Sequence, residues 1–373
     1  MFRKLFASID WLLFLATVPI MAAGLITMNS FTGSGGHFGK QLIWIGVSLI
    51  IFFVTASIDV RFLKQTQVLV GIFLFFSLLL LILFGIGHVA KGAQSWFSFG
   101  GFSFQPSDPM KVVLILMLAK YFSRRHVEIG KIKHIFVSGI YALVPFLLVL
   151  LQPDFGSAII IFLIWFGMAL VAGISKKHLL VVFIGGVVAF SLLWSFVFQP
   201  YQKARIMTFL NPLTDIRGSG YNAYQSMIAV GSGQAFGKGI GYGTQSRLNF
   251  LPEYETDFIF AAFAEEWGFV GSLFILIFFA LIIWRLLKNA ELGATNFETL
   301  YAVGLVIFIV SHILINMGMN IGIAPVTGIT LPFMSYGGSH LLTEFMALGI
   351  LMSMRRDARA AHRDAMKNEF LGL

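Results

Sequence analysis

Long apolar runs separated by short polar connections dominate the chain. They fall at 11–29, 42–58, 68–87, 109–122, 135–151, 156–173, 178–197, 258–284, 299–321 and 333–354. About 20 residues at 1.5 Å rise cross a hydrocarbon layer of roughly 30 Å, so runs of this kind read as transmembrane helices. In lipid each segment must satisfy its own backbone hydrogen bonds, which leaves the helix as the fold available to them. The pattern predicts an all-α polytopic membrane protein of about ten spans. Residues 1–354 form its membrane domain, with a long extracytoplasmic loop at 198–257 between spans seven and eight, and residues 355–373 form a basic tail. The fourth run is the least lipid-like, because it carries Lys111 and Lys120. No internal repeat stands out.

Composition agrees with this pattern: of 373 residues, 58% are hydrophobic and 12% charged, which excludes an ordinary soluble domain. The net charge of +9 is unevenly placed. One set of connections holds Arg3, Lys4, Arg61, Lys64, Arg124, Arg125, Lys131, Lys133, Lys176, Lys177, Arg285 and Lys288, and the tail adds Arg355, Arg356, Arg359, Arg363 and Lys367. The opposite short connections hold only Lys40 and Lys91. Cytoplasmic loops carry the excess of Lys and Arg, so both termini are expected in the cytoplasm. A basic rim against anionic lipid accounts for the charge without nucleic acid. The absence of cysteine removes disulfide and thiolate chemistry. Ala22-Ala23-Gly24 resembles a cleavage site, but the apolar run before it is long for a signal peptide, and a retained anchor is expected.

The loop at 198–257 departs from the pattern. It is rich in Gly, Asn, Gln and Ser, yet it also carries aromatics and tight Gly turns, so it reads as ordered and partly re-entrant. Lys203, Arg205, Arg217, Lys238 and Arg247 place cations on the side that short loops deplete of them. They are either solvated loop charges or an anion site for a phosphate or pyrophosphate. Trp96, a substrate-contact candidate or an interfacial anchor, precedes the fourth span on the same face. Lys111 lies one turn into that span with Asp108 three residues earlier, as a structural ion pair or a substrate contact. Asp154 opens the sixth span as a helix cap or a ligand. Glu265 and Glu266 lie two turns inside the eighth span and must face protein or water. Asn316, Asn320, Ser335, Tyr336 and Ser339 line the outer ends of the last two spans. Two classes fit: a transporter with a mid-membrane site, and an enzyme acting on a lipid-linked substrate at the outer interface. Charge gathered near one face rather than at the midplane favours the enzyme.

Several long segments, in order, carry a resemblance. QPSDPMK, QPDFGSA, NPLTDIRGSGYNAYQS, GKGIGYGTQS, FLPEYETDFIFAAFAEEWGFVG and NMGMNIGIAPVTGITLPFMSYGGS resemble the SEDS family (shape, elongation, division and sporulation) over essentially the whole chain. The KGAQSWF segment and the length look most like its elongation branch, with the division branch next. Three positions depart from the family pattern: Asp108 stands where Glu is usual and is followed by Pro109, Gln234 replaces a glycine, and Glu255 replaces a frequent histidine.

The resemblance implies a peptidoglycan glycosyltransferase of the bacterial inner membrane that polymerises lipid II at the outer face, during elongation. Its partner would be a class B penicillin-binding protein supplying the transpeptidase. Asp257 is then the candidate base, and Lys111, Arg205 and Lys238 the pyrophosphate candidates. Trp96, Asp154, Gln225, Ser226, Gln245, Glu253 and Ser335 are carried over with the motifs as substrate-binding residues. Thr256 is expected to cap the eighth helix, which would put Asp257 in its first turn. A divalent cation, Mg²⁺ or Mn²⁺, could share the leaving-group charge, although no ligand spacing marks a protein-held metal. Small residues around Gly318, Gly322, Ala324 and Gly328 suggest where the partner's helix docks. A lipid II flippase and a non-catalytic scaffold for the penicillin-binding protein are the alternatives.

Overall fold

The computed structural model describes residues 9–30, 37–90, 93–99, 102–124, 132–198, 200–211, 220–248 and 250–371. Arg3, Lys4, Lys91, Arg125, Lys131 and Arg217 lie outside the described residues.

Ten helices stand where the apolar runs predict them. They are α1 (Trp11–Ser30), α2 (His37–Ser57), α3 (Thr66–Ile86), α4 (Ser107–Ser123), α5 (Ile132–Leu151), α6 (Phe155–Val171), α7 (Lys176–Leu192), α11 (Ile259–Glu291), α12 (Asn296–Asn320) and α13 (Gly338–Leu371). The loop between α7 and α11 contributes α8 (Pro200–Leu210), α9 (Tyr221–Ser232) and α10 (Thr244–Arg247). Ahead of α4 the chain forms a three-stranded antiparallel sheet of β1 (His88–Ala90), β2 (Ala93–Phe99) and β3 (Phe102–Phe104), an element that the apolar runs do not announce. The tenth run also starts differently. Residues 333–337 belong to a buried loop, and the last helix begins only at Gly338.

Packing explains why α4 looks least lipid-like. Every residue from Ser107 to Ala119 is buried, so this helix is the axis of the bundle and meets other helices all round. Long contacts join α2 to α13, α11 to α12 and α1 to α11 around it. A helix without a lipid face can hold charge if protein satisfies it.

The face carrying the termini is tied by charge. Arg356 donates to the carbonyls of Ala56 (3.1 Å), Ser57 (2.8 Å) and Ile58 (3.1 Å), closing the C-terminal end of α2. Asp10, at the start of α1, takes Arg285 Nη2 at 2.7 Å, Asn289 Nδ2 at 2.8 Å and Arg355 Nη1 at 2.6 Å. Three helices distant in sequence therefore share one buried carboxylate.

Helix α11 is broken at Gly268, whose φ of 68° and ψ of −163° belong to a region essentially reserved for glycine. A break inside a membrane helix frees backbone groups, and each needs a partner. The segment 234–239 supplies them. Lys238 and Gly239 amides donate to the carbonyls of Glu265 (2.9 Å) and Glu266 (3.0 Å), while Phe269 and Val270 amides donate to Gln234 (2.8 Å) and Ala235 (3.0 Å). Gly237 lies so close to the Glu266 carbonyl that a Cβ there would overlap it.

Candidate functional site

A cavity of about 530 Å³ opens on the face opposite the termini, between the sheet, the 152–154 turn, α8, the 253–257 turn and the 325–338 segment. Asp257, Lys111, Arg205, Trp96, Asp154 and Glu253 all line it. Six residues taken from the sequence as a catalytic or substrate-binding set thus meet in one space, contributed by five separate stretches of chain.

Asp257 is placed through its backbone. Asn316 and Asn320 on α12 each donate a side-chain amide to its carbonyl, at 3.0 and 3.1 Å. Asn320 also receives the Ala261 amide on its Oδ1 at 3.0 Å, so one buried side chain fixes both Asp257 and the first turn of α11. The expectation for Thr256 is corrected here. The helix begins at Ile259 behind Phe258, and Thr256 Oγ1 instead donates to Glu253 Oε2 at 2.9 Å within a turn. Asp257 consequently stands just ahead of the helix, not in its first turn. Glu253 holds a φ of 56°, and this tight backbone brings the two carboxylates of the turn to the cavity wall.

Lys111 is 1% exposed and pairs with Asp108 Oδ1 at 3.0 Å, one helical turn away on α4. Asp154 caps α6, taking the Ser157 amide on Oδ1 at 3.0 Å, and also takes Gln105 Nε2 on Oδ2 at 2.8 Å. The capping and the cavity-facing readings of Asp154 therefore hold together. Arg205 on α8 donates to the Val326 carbonyl at 3.4 Å, which brings the guanidinium beside the same wall. At the mouth, His37 lies 2.7 Å from Glu255. Burial pushes the Glu255 carboxyl above its ordinary range. The His37 partner opposes that shift, and the neighbouring charge of Glu253 adds to it.

The other candidates do not line the cavity. Lys238 pairs with Glu265 at 2.7 Å, and Gln245 donates its backbone amide to the same carboxylate at 3.2 Å. Glu266 accepts the Gly241 amide at 2.7 Å. The two glutamates thus face protein and staple the loop to the α11 break. Ser226 donates to the Asn320 carbonyl at 2.9 Å and Ser335 donates to the Thr256 carbonyl at 2.7 Å, one bond removed from Asp257 and its turn. Gln225 sits half-buried on α9, outside the lining. The small-residue surface is also occupied by this chain: Gly318 meets Ala324, Gly322 meets the Met227 sulfur, and Gly328 faces Asp257. Gly318 is buried in internal packing, whereas Gly328 and the neighbouring Ile321 and Ile323 are exposed.

Sequence reasoning missed the base of the cavity. His340 on α13 stands 3.5 Å from Asp108 Oδ1 and 3.0 Å from Glu344 Oε1, with His312 of α12 stacked on it at 4.5 Å between ring centroids. The signal was present, since titratable residues inside apolar runs mark functional or paired sites. Among the described residues no group of three or more His, Asp or Glu gathers to hold a metal.

Residues 3–360 match the profile of the FtsW/RodA/SpoVE cell cycle protein family. The chain is 36% identical over 363 residues to stage V sporulation protein E of Bacillus subtilis, covering 94% of this chain and 98% of that one. It is 35% identical over 347 residues to the peptidoglycan glycosyltransferase MrdB of Escherichia coli, covering 93% of each. A chain in the structure of a peptidoglycan synthase complex that coordinates polymerization and crosslinking superposes with a TM-score of 0.81 at 28% identity, covering 94% of this chain and 98% of the other. With its apolar helices, its motifs and these likenesses, the chain belongs to the FtsW/RodA/SpoVE family, the SEDS proteins, as a polytopic helical membrane protein.

Proposed function

We propose that this protein is a peptidoglycan glycosyltransferase that polymerises lipid II into β-1,4-linked glycan at the outer face of the bacterial inner membrane. The observation that carries the reading is the meeting of one loop carboxylate, Asp257, with two cations, Lys111 and Arg205, around a single cavity at one membrane face. The likeness to a protein named a peptidoglycan glycosyltransferase supports the same activity.

The lipid II sugar is α-linked to its pyrophosphate and the polymer is β-linked, so one in-line displacement with inversion suffices. Asp257 takes the proton from the attacking hydroxyl as its oxygen bonds the anomeric carbon. The bond from that carbon to the diphosphate oxygen breaks, and undecaprenyl pyrophosphate leaves with the electron pair. Lys111 and Arg205 hold the diphosphate from the moment lipid II binds and stay on it as it leaves, a role worth most where water is excluded. No step depends on a metal held by the protein alone. A Mg²⁺ or Mn²⁺ ion arriving with the diphosphate would be held mainly by its oxygens and one or two carboxylates.

The Lys/Arg asymmetry supports cytoplasmic termini, with the cavity outside. The likeness to a chain of a synthase complex that coordinates polymerization and crosslinking supports a crosslinking partner, read as a class B penicillin-binding protein, and elongation is the role that the KGAQSWF resemblance implies. Purified protein in detergent, alone and with that partner, is expected to make polymer from lipid II. A flippase makes none, because detergent has no leaflets. A scaffold makes none of its own and loses nothing when Asp257 is changed. Absence of polymer in both preparations would reject the enzyme.

A further inference from the structure

The site described above leaves one group unused. His340 lies beneath Lys111, among polar groups that belong to three helices: Asp108 and Lys111 on α4, His312 on α12, and Glu344 on its own helix. Its Nδ1 lies 3.5 Å from Asp108 Oδ1 and its Nε2 3.0 Å from Glu344 Oε1; neither is aligned to donate in this arrangement, and an imidazolium is the form that balances two neighbouring carboxylates. Glu344 is fixed on the far side, since its Oε2 accepts the Phe333 amide at 3.0 Å. His312 turns its Nδ1 to the Thr330 carbonyl at 3.2 Å and lays its ring flat against His340, which keeps that ring from tilting. The cluster thus holds two cations and two carboxylates.

Asp108 is unevenly used. Its Oδ1 faces both Lys111 and His340, while its buried Oδ2 has no hydrogen-bond partner. In this arrangement Lys111 is neutralised by its own neighbour. A diphosphate can recruit the lysine only if Asp108 is not left as a lone buried charge, which is strongly unfavourable.

We infer that His340 is a positioning residue that takes over Asp108 when Lys111 turns to the leaving diphosphate, so that the lysine changes partner without stranding a buried carboxylate. The inference rests on the proposed polymerisation. It assigns His340 no contact with substrate. The imidazole need move less than 1 Å to bring its 3.5 Å separation from Asp108 into the 2.7–2.9 Å range of charge-assisted bonds.

The test measures KM and kcat for lipid II on purified full-length protein with its partner, beside melting temperature. His340→Gln is expected to raise KM at least tenfold with kcat changed less than threefold, because ground-state capture of the diphosphate weakens. His340→Lys restores a buried cation and is expected within threefold of the parent. If His340→Gln does not fold, the pair His340→Gln with Glu344→Gln removes one charge of each sign, and it is expected to show the same rise in KM. The inference fails if the folded single or double variant keeps its KM within threefold, or if only kcat falls. It fails also if His340→Lys is as impaired as His340→Gln. A parent that polymerises beside unaffected variants sinks this inference alone. A parent that makes no polymer sinks the proposed function and this inference with it.

Discussion

Replacing Asp257 with Asn tests the catalytic assignment with little disturbance to the fold. The substitution keeps shape and most hydrogen-bonding capacity but removes the basic oxygen. The carbonyl of this residue is bonded by Asn316 and Asn320 at 3.0 and 3.1 Å, and the substitution leaves those bonds intact. Because α11 starts at Ile259, the side chain precedes the helix. Any helix-dipole contribution lost is therefore at most about 0.3–1 kcal/mol. General base catalysis contributes roughly 10²–10⁴-fold. At about 1.36 kcal/mol per decade, the expected increase in barrier is near 3–5 kcal/mol. The two effects differ enough to separate in one preparation. Polymerisation of lipid II is measured beside melting temperature and partner co-purification. Turnover should fall by two to four decades, with melting moved by only a few degrees and the partner still bound. Turnover within a few-fold of the parent, at equal folded protein, would refute the base assignment and leave Asp257 a structural acid.

Three further outcomes follow from the fold. Gly268→Ala puts a Cβ where φ is 68° and against the Gly237 amide, so a loss of about 3 kcal/mol or more in stability is expected, read by melting and by faster proteolysis within 232–245. Asp10→Asn leaves Arg285 and Arg355 without their carboxylate, at a cost of about 3 kcal/mol near pH 7. Burial opposes ionisation of Asp10, but the bonds from Arg285 and Asn289 and the charge of Arg355 outweigh it and hold its carboxyl below the ordinary value. The contribution is therefore complete above that ordinary value, near 4, and is lost as pH falls below it. The gap between parent and variant should hold from pH 7 to 5 and narrow below 4, and a gap constant to pH 3 would count against the charge account. The natural chain has no cysteine, so Tyr242→Cys and Leu292→Cys can be labelled singly in cells with an impermeant thiol reagent. Reaction at 242 but not at 292 is expected, and the reverse pattern would invert the orientation.

The spans were legible because most apolar runs are long enough to cross lipid, and among the described residues seven of them appear as helical spans of 20 to 33 residues. What the runs could not show is which helix avoids lipid. Lys111 and Lys120 made the α4 run look weak, whereas a central helix is the one able to carry them. The sheet and the helices α8 and α9 escaped notice because they are short, and such elements lack the length that makes a period visible. The break at Gly268 was hidden for a different reason. One glycine in an apolar run is ordinary, and its meaning depends on amides some 30 residues upstream that satisfy the freed carbonyls. At the site, the family resemblance supplied Asp257, while chemistry by residue type singled out Lys111, Arg205 and Asp154. It could not choose the partner of Lys238, because a lysine in a long loop reads the same whether it faces a ligand or Glu265.

Among the described residues, the buried pairs of Lys and Arg with carboxylates follow one rule with one exception, and the exception marks the site. Asp10 holds Arg285 and Arg355, Glu298 holds Lys64, and Glu265 holds Lys238, each pairing segments far apart in sequence. None of these pairs lines the cavity. They do what buried pairs do in a low-dielectric interior: each needs its partner, and together they specify which helices meet. Asp108 and Lys111 are paired as closely, yet both line the cavity and they share their charge with His340 and Glu344. A purely structural pair three residues apart on one helix joins nothing distant, so fold specificity gives no reason to bury it. Access to an anionic substrate gives one, since a lysine whose charge is balanced by a neighbour can be released to a diphosphate while the rest of the cluster absorbs the carboxylate. Burial and pairing alone therefore do not distinguish functional from structural charge in this protein. Pairing that opens onto a cavity does.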